Sequence, residues 1–198
     1  MIPQDILLSF NAIVKNFSKD EKIFSENENA RNYYQIKEGA VKMNNFNDEG
    51  KEFIQGIFYK NQSFGEPPLF IDVKYPANAM TLTETSIYIL SKNDLLRLLE
   101  LHPEIHLHIT KSLAKRLYYK AIIASEISSQ EPMHRVLRYF DYLKNDVYKL
   151  DGNFTFKVTN TRQQIADILG LRVETVIRAI KSLEKQGKVK IINRKVFR

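Results

Sequence analysis

Residues 161–187 read TRQQIADILGLRVETVIRAIKSLEKQG, and the placing of small, apolar and glycine residues in this stretch admits few folds. Thr161 is a good helix N-cap, since its hydroxyl can accept from an orphan backbone N–H one turn on. Ile165, Ala166 and Leu169 then form one short apolar face. Gly170 ends that helix, because glycine enters the left-handed region at little steric cost. A second helix follows with Val176, Ala179, Ile180 and Leu183 inward. Ala166 has to be small, because the second helix crosses beside it. This is the spacing of a helix-turn-helix. A generic helix pair is the alternative that spacing alone leaves open.

The polar face narrows the choice. Arg172, Glu174, Thr175, Arg178 and Lys181 lie outward on the second helix or at its start. A helix of this kind fits the major groove of DNA, with its N-terminal residues at base edges. Arg178 can give two hydrogen bonds to guanine, and Glu174 can accept from cytosine N4. The bland alternative is a solvated helix with i,i+4 pairs such as Glu174–Arg178. After Gly187 the sequence alternates from Lys188 to Phe197 and turns near Asn193-Arg194. That pattern predicts a small β-wing whose Lys188 and Lys190 meet phosphates.

Charge follows the same division. Residues 1–130 hold 15 Lys and Arg against 16 Asp and Glu, a net of −1. Residues 131–198 hold 15 against 7, a net of +8. A basic C-terminal third behind a neutral remainder is the electrostatic footprint of a nucleic-acid binder. The chain has no cysteine, which excludes disulfides, thiol catalysis, zinc–thiolate sites and cysteine-held iron–sulfur clusters. No apolar run approaches the ~18 residues of a membrane span. The N-terminus, MIPQDILLSF, lacks a basic leader. A cytoplasmic location is the expectation.

The first two thirds read differently. Ile6, Leu7, Phe10, Ile13, Val14 and Phe17 predict an amphipathic helix over residues 4–17. Between Lys22 and Ser91 come short β-branched and aromatic runs, namely residues 23–24, 33–36, 40–43, 53–59 and 87–90, separated by turn signals. Many short strands at this spacing indicate a β-sandwich or roll. Helix returns at residues 93–96, and Pro103 suits the first turn of a longer helix over residues 104–129. Ile109, Leu113, Leu117, Ala121, Ala124 and Ile127 recur along it as a candidate dimer seam; packing against the same chain is the alternative. Glu131-Pro132 marks a break, and a helix over residues 133–144 and a loop with Asp151-Gly152 lead into the segment described above.

In these features the chain resembles the CRP/FNR superfamily of bacterial transcription regulators over nearly its whole length. The resemblance rests on TRQQIADILG, VETVIRAIKSLEKQG and the wing, and on YYQIKEGAVKM, DEGKEFI and FGEPPLF in the roll. It implies an α+β fold: a jelly-roll-like β-roll effector domain at 1–103, a dimerisation helix at 104–130, and a winged helix-turn-helix at 131–198. It implies a homodimer on palindromic double-stranded DNA, with RNA polymerase as a further partner and no membrane. Glu174 and Arg178 fall on the family's base-reading positions, and Thr161, Arg162 and Gln163 on the phosphate-binding helix start. Val173-Glu174-Thr175 is similar to the FNR branch, although Ile177 stands where that branch often has Ser.

The roll departs from the family pattern. Cyclic-nucleotide-binding members grip the ribose with the Glu of a Gly-Glu turn and hold the phosphate with backbone amides and an Arg. Gly65-Glu66 matches the turn, but Pro67 and Pro68 follow it and have no N–H to give. The Arg position falls near Tyr75, and no Arg occurs between Arg31 and Arg97. Lys74 is the substitute cation, without a planar fork. Phe64, Leu69, Phe70, Tyr75 and Met80 are expected to line or close the pocket with Gly65, Glu66 and Lys74. No cofactor is expected: cAMP does not suit this pocket, and haem would need His102, His106, His108 or His134, with Pro103 interrupting the first pair. The effector itself stays open. A cyclic-nucleotide module acting mainly on a protein partner is the competing function, against which the basic winged domain counts. An enzyme would need a nucleophile–base pair, metal cluster or phosphate loop, none of which the sequence presents.

Overall fold

The computed structural model describes the backbone of residues 1–128 and 131–198 and the side chains of residues 1–121 and 131–198. The chain divides into two compact units, Met1–Ala114 and Lys115–Arg198.

The first unit is a roll of two four-stranded sheets. One runs β1 (Ile13–Phe17), β8 (Thr85–Ser91), β3 (Asn32–Glu38), β6 (Ser63–Phe64). The other runs β2 (Lys22–Phe24), β7 (Asn78–Thr81), β4 (Ala40–Phe46), β5 (Glu52–Tyr59). Every neighbouring pair is antiparallel. The first sheet is covered on both faces. Tyr34, Ile36, Phe64 and Ile87 point into the core between the sheets. Tyr33, Tyr88 and Leu90 pack with Leu7 of α1 (Gln4–Ser9) and Leu95, Leu98 and Leu99 of α3 (Lys92–Leu101). Two-sided burial explains why Tyr33, Tyr34, Gln35 and Ile36 of β3 are all buried, not alternately buried and exposed.

The expected helix over 4–17 is corrected. Only Gln4–Ser9 is helical. Asn11 turns left-handed at φ 68°, and the β-branched pair Ile13-Val14 then starts an edge strand, with Ile13 opposite Ile89. Helical spacing lost here to a turn-forming Asn and a sheet edge in need of a partner. A short helix unforeseen in the sequence, α2 (Pro67–Ile71), follows β6; its two prolines occupy the first helical positions, where a missing N–H is harmless.

Helix α4 spans Pro103–Ser128, and the division between the two units falls inside it. Of the expected seam, Ile109 is buried in the roll's helical core and Leu113 packs against it. Ile109 thus lies inside its own chain's core, and Leu113 is half-buried beside it. Leu117 and Ala121 are exposed, and the side chains of Ala124 and Ile127 lie outside the described residues. Leu107, Ala114 and Tyr118 are exposed as well.

The second unit contains α5 (Pro132–Tyr142), a π-helical turn (Leu143–Val147), α6 (Arg162–Leu169), α7 (Val173–Lys185) and the hairpin β9 (Lys190–Ile192)–β10 (Lys195–Phe197). Its core joins Val136, Tyr139 and Phe140 of α5 to Ile165, Ala166 and Leu169 of α6, Val176, Ala179, Ile180 and Leu183 of α7, and Val189 and Val196 of the wing. Among the described residues no helix is long and apolar enough to cross a membrane.

Candidate nucleic-acid interface and effector roll

Helix α6 starts with a reciprocal cap. The Gln164 backbone N–H donates to Thr161 Oγ1 at 3.1 Å, and the Thr161 N–H donates to Gln164 Oε1 at 2.9 Å. The T-x-x-Q spacing carries this signal. Gly170 closes the helix at φ 64°, ψ 33°, and Leu171 N–H bonds Ala166 C=O at 2.9 Å. Ala166 is fully buried between the helices. Ala166→Leu is expected to overpack the contact and cost about 1–3 kcal/mol, read as a lower urea midpoint at unchanged slope.

Burial divides α7 into two faces. Val176, Ala179, Ile180 and Leu183 are buried; Glu174, Ile177, Arg178 and Lys181 are exposed. Arg172 is exposed at the N-cap, Thr175 is half-buried, and Val173 is half-buried against the core. At the start of α6, burial holds the half-buried Arg162 guanidinium below the usual arginine range. Gln163 Nε2 donates to Asp167 Oδ1 at 2.8 Å. Asp167, itself 6% exposed, thus fixes the amide at the helix start, a role that its acidic side chain on the mostly apolar inner face did not suggest.

The wing turns through Asn193 and Arg194, both with positive φ (48° and 63°), the twist that suits a two-residue hairpin loop. Backbone bonds from Phe156 and Val158 to Arg198 and Val196 fasten it to the loop before α6. Lys188 and Lys190 are exposed, and Lys190 Nζ sits 4.4 Å above the Phe154 ring, so its charge is held in place by a cation–π contact. The expected DNA-facing residues therefore collect on one unit: the α6 start, the outer face of α7 and the wing.

The expected effector residues do not all meet. Phe64 and Tyr75 lie in the roll interior, where Tyr75 stacks on Phe24 at 3.7 Å and Phe64 lies 5.4 Å from Tyr34 and 5.9 Å from Phe58 between ring centres. Tyr75 is 2% exposed, donates to Asn32 C=O at 3.3 Å, and is pushed well above the usual tyrosine range by burial. Gly65 takes φ +73°, and a Cβ there would meet Phe24 at 3.1 Å. Lys74, next to the buried Tyr75, is exposed and its backbone pairs with Asn29. Leu69 and Phe70 belong to the separate core under α1 and α3. Met80 is half-buried on β7 opposite Lys22 and Lys42. A hollow of about 310 Å³ does border Tyr75, but its other walls are Ile23, Phe24, Glu28, Asn29, Arg31, Asn32 and Tyr34.

Glu66 is 1% exposed and accepts a hydrogen bond from Ser63 Oγ. Ser63 faces Gln35 across the β3–β6 pair, and Gln35 bonds the backbone of Ile2. Strand alternation puts Ser63 and Gln35 on the sheet face under α1, opposite Phe64 and Tyr34. The carboxylate is thus engaged away from the aromatic interior. Leu69 N–H, the first after the two prolines, already bonds Glu66 C=O at 2.9 Å. At this turn Pro67 and Pro68 therefore have no N–H to give and the Leu69 N–H is already bonded, so these three residues do not supply the donors of the family's phosphate grip.

The comparisons agree with both units. The cyclic nucleotide-binding domain family matches residues 14–102, and the Crp-like helix-turn-helix domain family matches residues 134–197. The cAMP-activated global transcriptional regulator CRP of Haemophilus influenzae is 30% identical over 161 residues, covering 81% of this chain and 72% of the relative. The nitrogen fixation regulation protein FixK of Bradyrhizobium diazoefficiens is 23% identical over 179 residues, 90% of this chain and 74% of the relative. The solved structure of the c-di-GMP responsive global regulator CLP of Xanthomonas campestris superposes with a TM-score of 0.76 at 22% identity, covering 98% of this chain and 96% of that one. A roll of this topology, a buried-faced helix-turn-helix with a wing, and these matches in the same order along the sequence make the chain a member of the CRP/FNR superfamily of DNA-binding transcription regulators.

Proposed function

We propose that the protein is a homodimer that reads a palindromic DNA site through α7 and does so without a cyclic nucleotide. The observation that carries the DNA reading is the outer face of α7, where Glu174, Arg178 and Lys181 stand exposed opposite a fully buried inner face. Arg178 donates to a guanine edge and Glu174 accepts from a cytosine amine; Thr161, Arg162, Gln163, Arg172, Thr175, Lys181, Lys188 and Lys190 hold the backbone. Val173 steadies the entry of α7 from its half-buried place. The dimer reading is supported by Leu107, Ala114 and Ala121, exposed at seven-residue intervals along α4, with Leu117 and Tyr118 exposed between the last two.

Fluorescence anisotropy on a selected site tests the DNA contacts. Arg178→Ala is expected to weaken binding by about 1–3 kcal/mol per half-site and to relax preference at one base pair. Lys188→Ala and Lys190→Ala are expected to weaken all sequences alike and to flatten the dependence on salt. Equal binding by Arg178→Ala and its parent would remove α7 from the groove.

A further inference from the structure

We infer that Ile177 is a specificity-determining residue that packs on a thymine 5-methyl group in the major groove; the inference rests on the reading of α7 as the helix that enters that groove. Ile177 is 39% exposed. It shares the outward arc of α7 with Glu174, Arg178 and Lys181, opposite buried Val176, Ala179, Ile180 and Leu183. It also lies one turn beyond the half-buried Val173. Ile177 is therefore the one exposed apolar side chain of α7, set beside Glu174 and Arg178.

In the free protein the isoleucine meets water. Once Glu174 and Arg178 reach base edges, Ile177 in the same turn loses that water. The major groove offers donors, acceptors and a single kind of apolar group, the thymine methyl. Every base edge carries a donor or acceptor there, and only thymine adds a methyl for a branched hydrocarbon to cover. Ile177 thus favours thymine over cytosine, which has no methyl at that place.

The test uses the full chain and a duplex obtained by selection. Each thymine is replaced in turn by uracil, symmetrically in both half-sites, which removes the methyl and nothing else. At one position uracil is expected to weaken the parent about fourfold per half-site, the effect of one lost buried methyl. Ile177→Ala, which keeps a strong helix former at an exposed position, is expected to bind the thymine duplex more weakly than the parent and to be indifferent to uracil there. Uracil effects that are the same in both proteins, or a selected site without thymine, would overturn the inference. Arg178→Ala on the same duplexes separates the two levels. If it loses binding while uracil effects ignore Ile177, α7 still reads DNA and only the methyl contact falls. If it binds like the parent, the reading of α7 falls and the inference with it.

Discussion

Titration of the full chain with cAMP or cGMP in a calorimeter is expected to give no saturable heat at micromolar ligand. A cyclic phosphate taken into a partly dry pocket needs a positive charge and several N–H donors. At this turn Pro67 and Pro68 have none, Leu69 N–H is bonded to Glu66 C=O, and Tyr75 lies stacked on Phe24 where the family places an Arg. Each lost donor to a charged group costs roughly 1.5–3 kcal/mol, so the two proline positions and the missing Arg together carry a micromolar ligand into the millimolar range or beyond. The Glu66 carboxylate, the expected ribose partner, accepts from Ser63 on the α1 side of the sheet. A micromolar dissociation constant, with DNA affinity rising as nucleotide binds, would overturn this and make Lys74 the phosphate's partner.

The second large effect is on assembly. Leu107→Asp combined with Leu117→Asp is expected to convert the protein to a monomer in sedimentation while the roll stays folded. Leu107 is 51% and Leu117 71% exposed, so neither change disturbs the chain's own core. In a paired seam the same carboxylates would be buried without partners. Even a neutral polar group treated so costs about 1–3 kcal/mol, and two charges on each protomer move dissociation by several powers of ten. Leu113→Asp makes the contrast: Leu113 packs on Ile109 and the roll, so that change is expected to lower stability first. A dimer that survives the double substitution would put the contact on another surface.

These two expectations mark where the sequence was legible and where it was not. The helix-turn-helix could be read because each of its signals is local. Thr161 caps α6, Gly170 enters the left-handed region cheaply where α6 ends, and Ala166 is the small residue on the apolar face of α6. The strands of the roll were legible as runs, but their pairing depends on contacts far apart in the chain, such as Ile13 with Ile89. The same non-locality hid β1 inside an apparent helix. Along α4 the 3.6-residue spacing predicted an apolar stripe but not which neighbour covers it. Ile109 and Leu113 turned to the roll, leaving Leu107, Ala114, Leu117, Tyr118 and Ala121 outside. In the effector region the missing Arg and the two prolines were visible in the letters. The placing of Glu66 was not, because it depends on Ser63 and Gln35, which meet it only through the β3–β6 pairing.

The proposed function has the chain read DNA as a symmetric pair with no cyclic nucleotide present. Selection of random-sequence duplexes by the purified full chain, with no nucleotide added, tests it most directly. A palindromic consensus is expected, with half-sites about one helical turn, roughly 10–10.5 base pairs, apart centre to centre. Enrichment of a single unpaired half-site, or of a palindrome only when cAMP or cGMP is supplied, would contradict it.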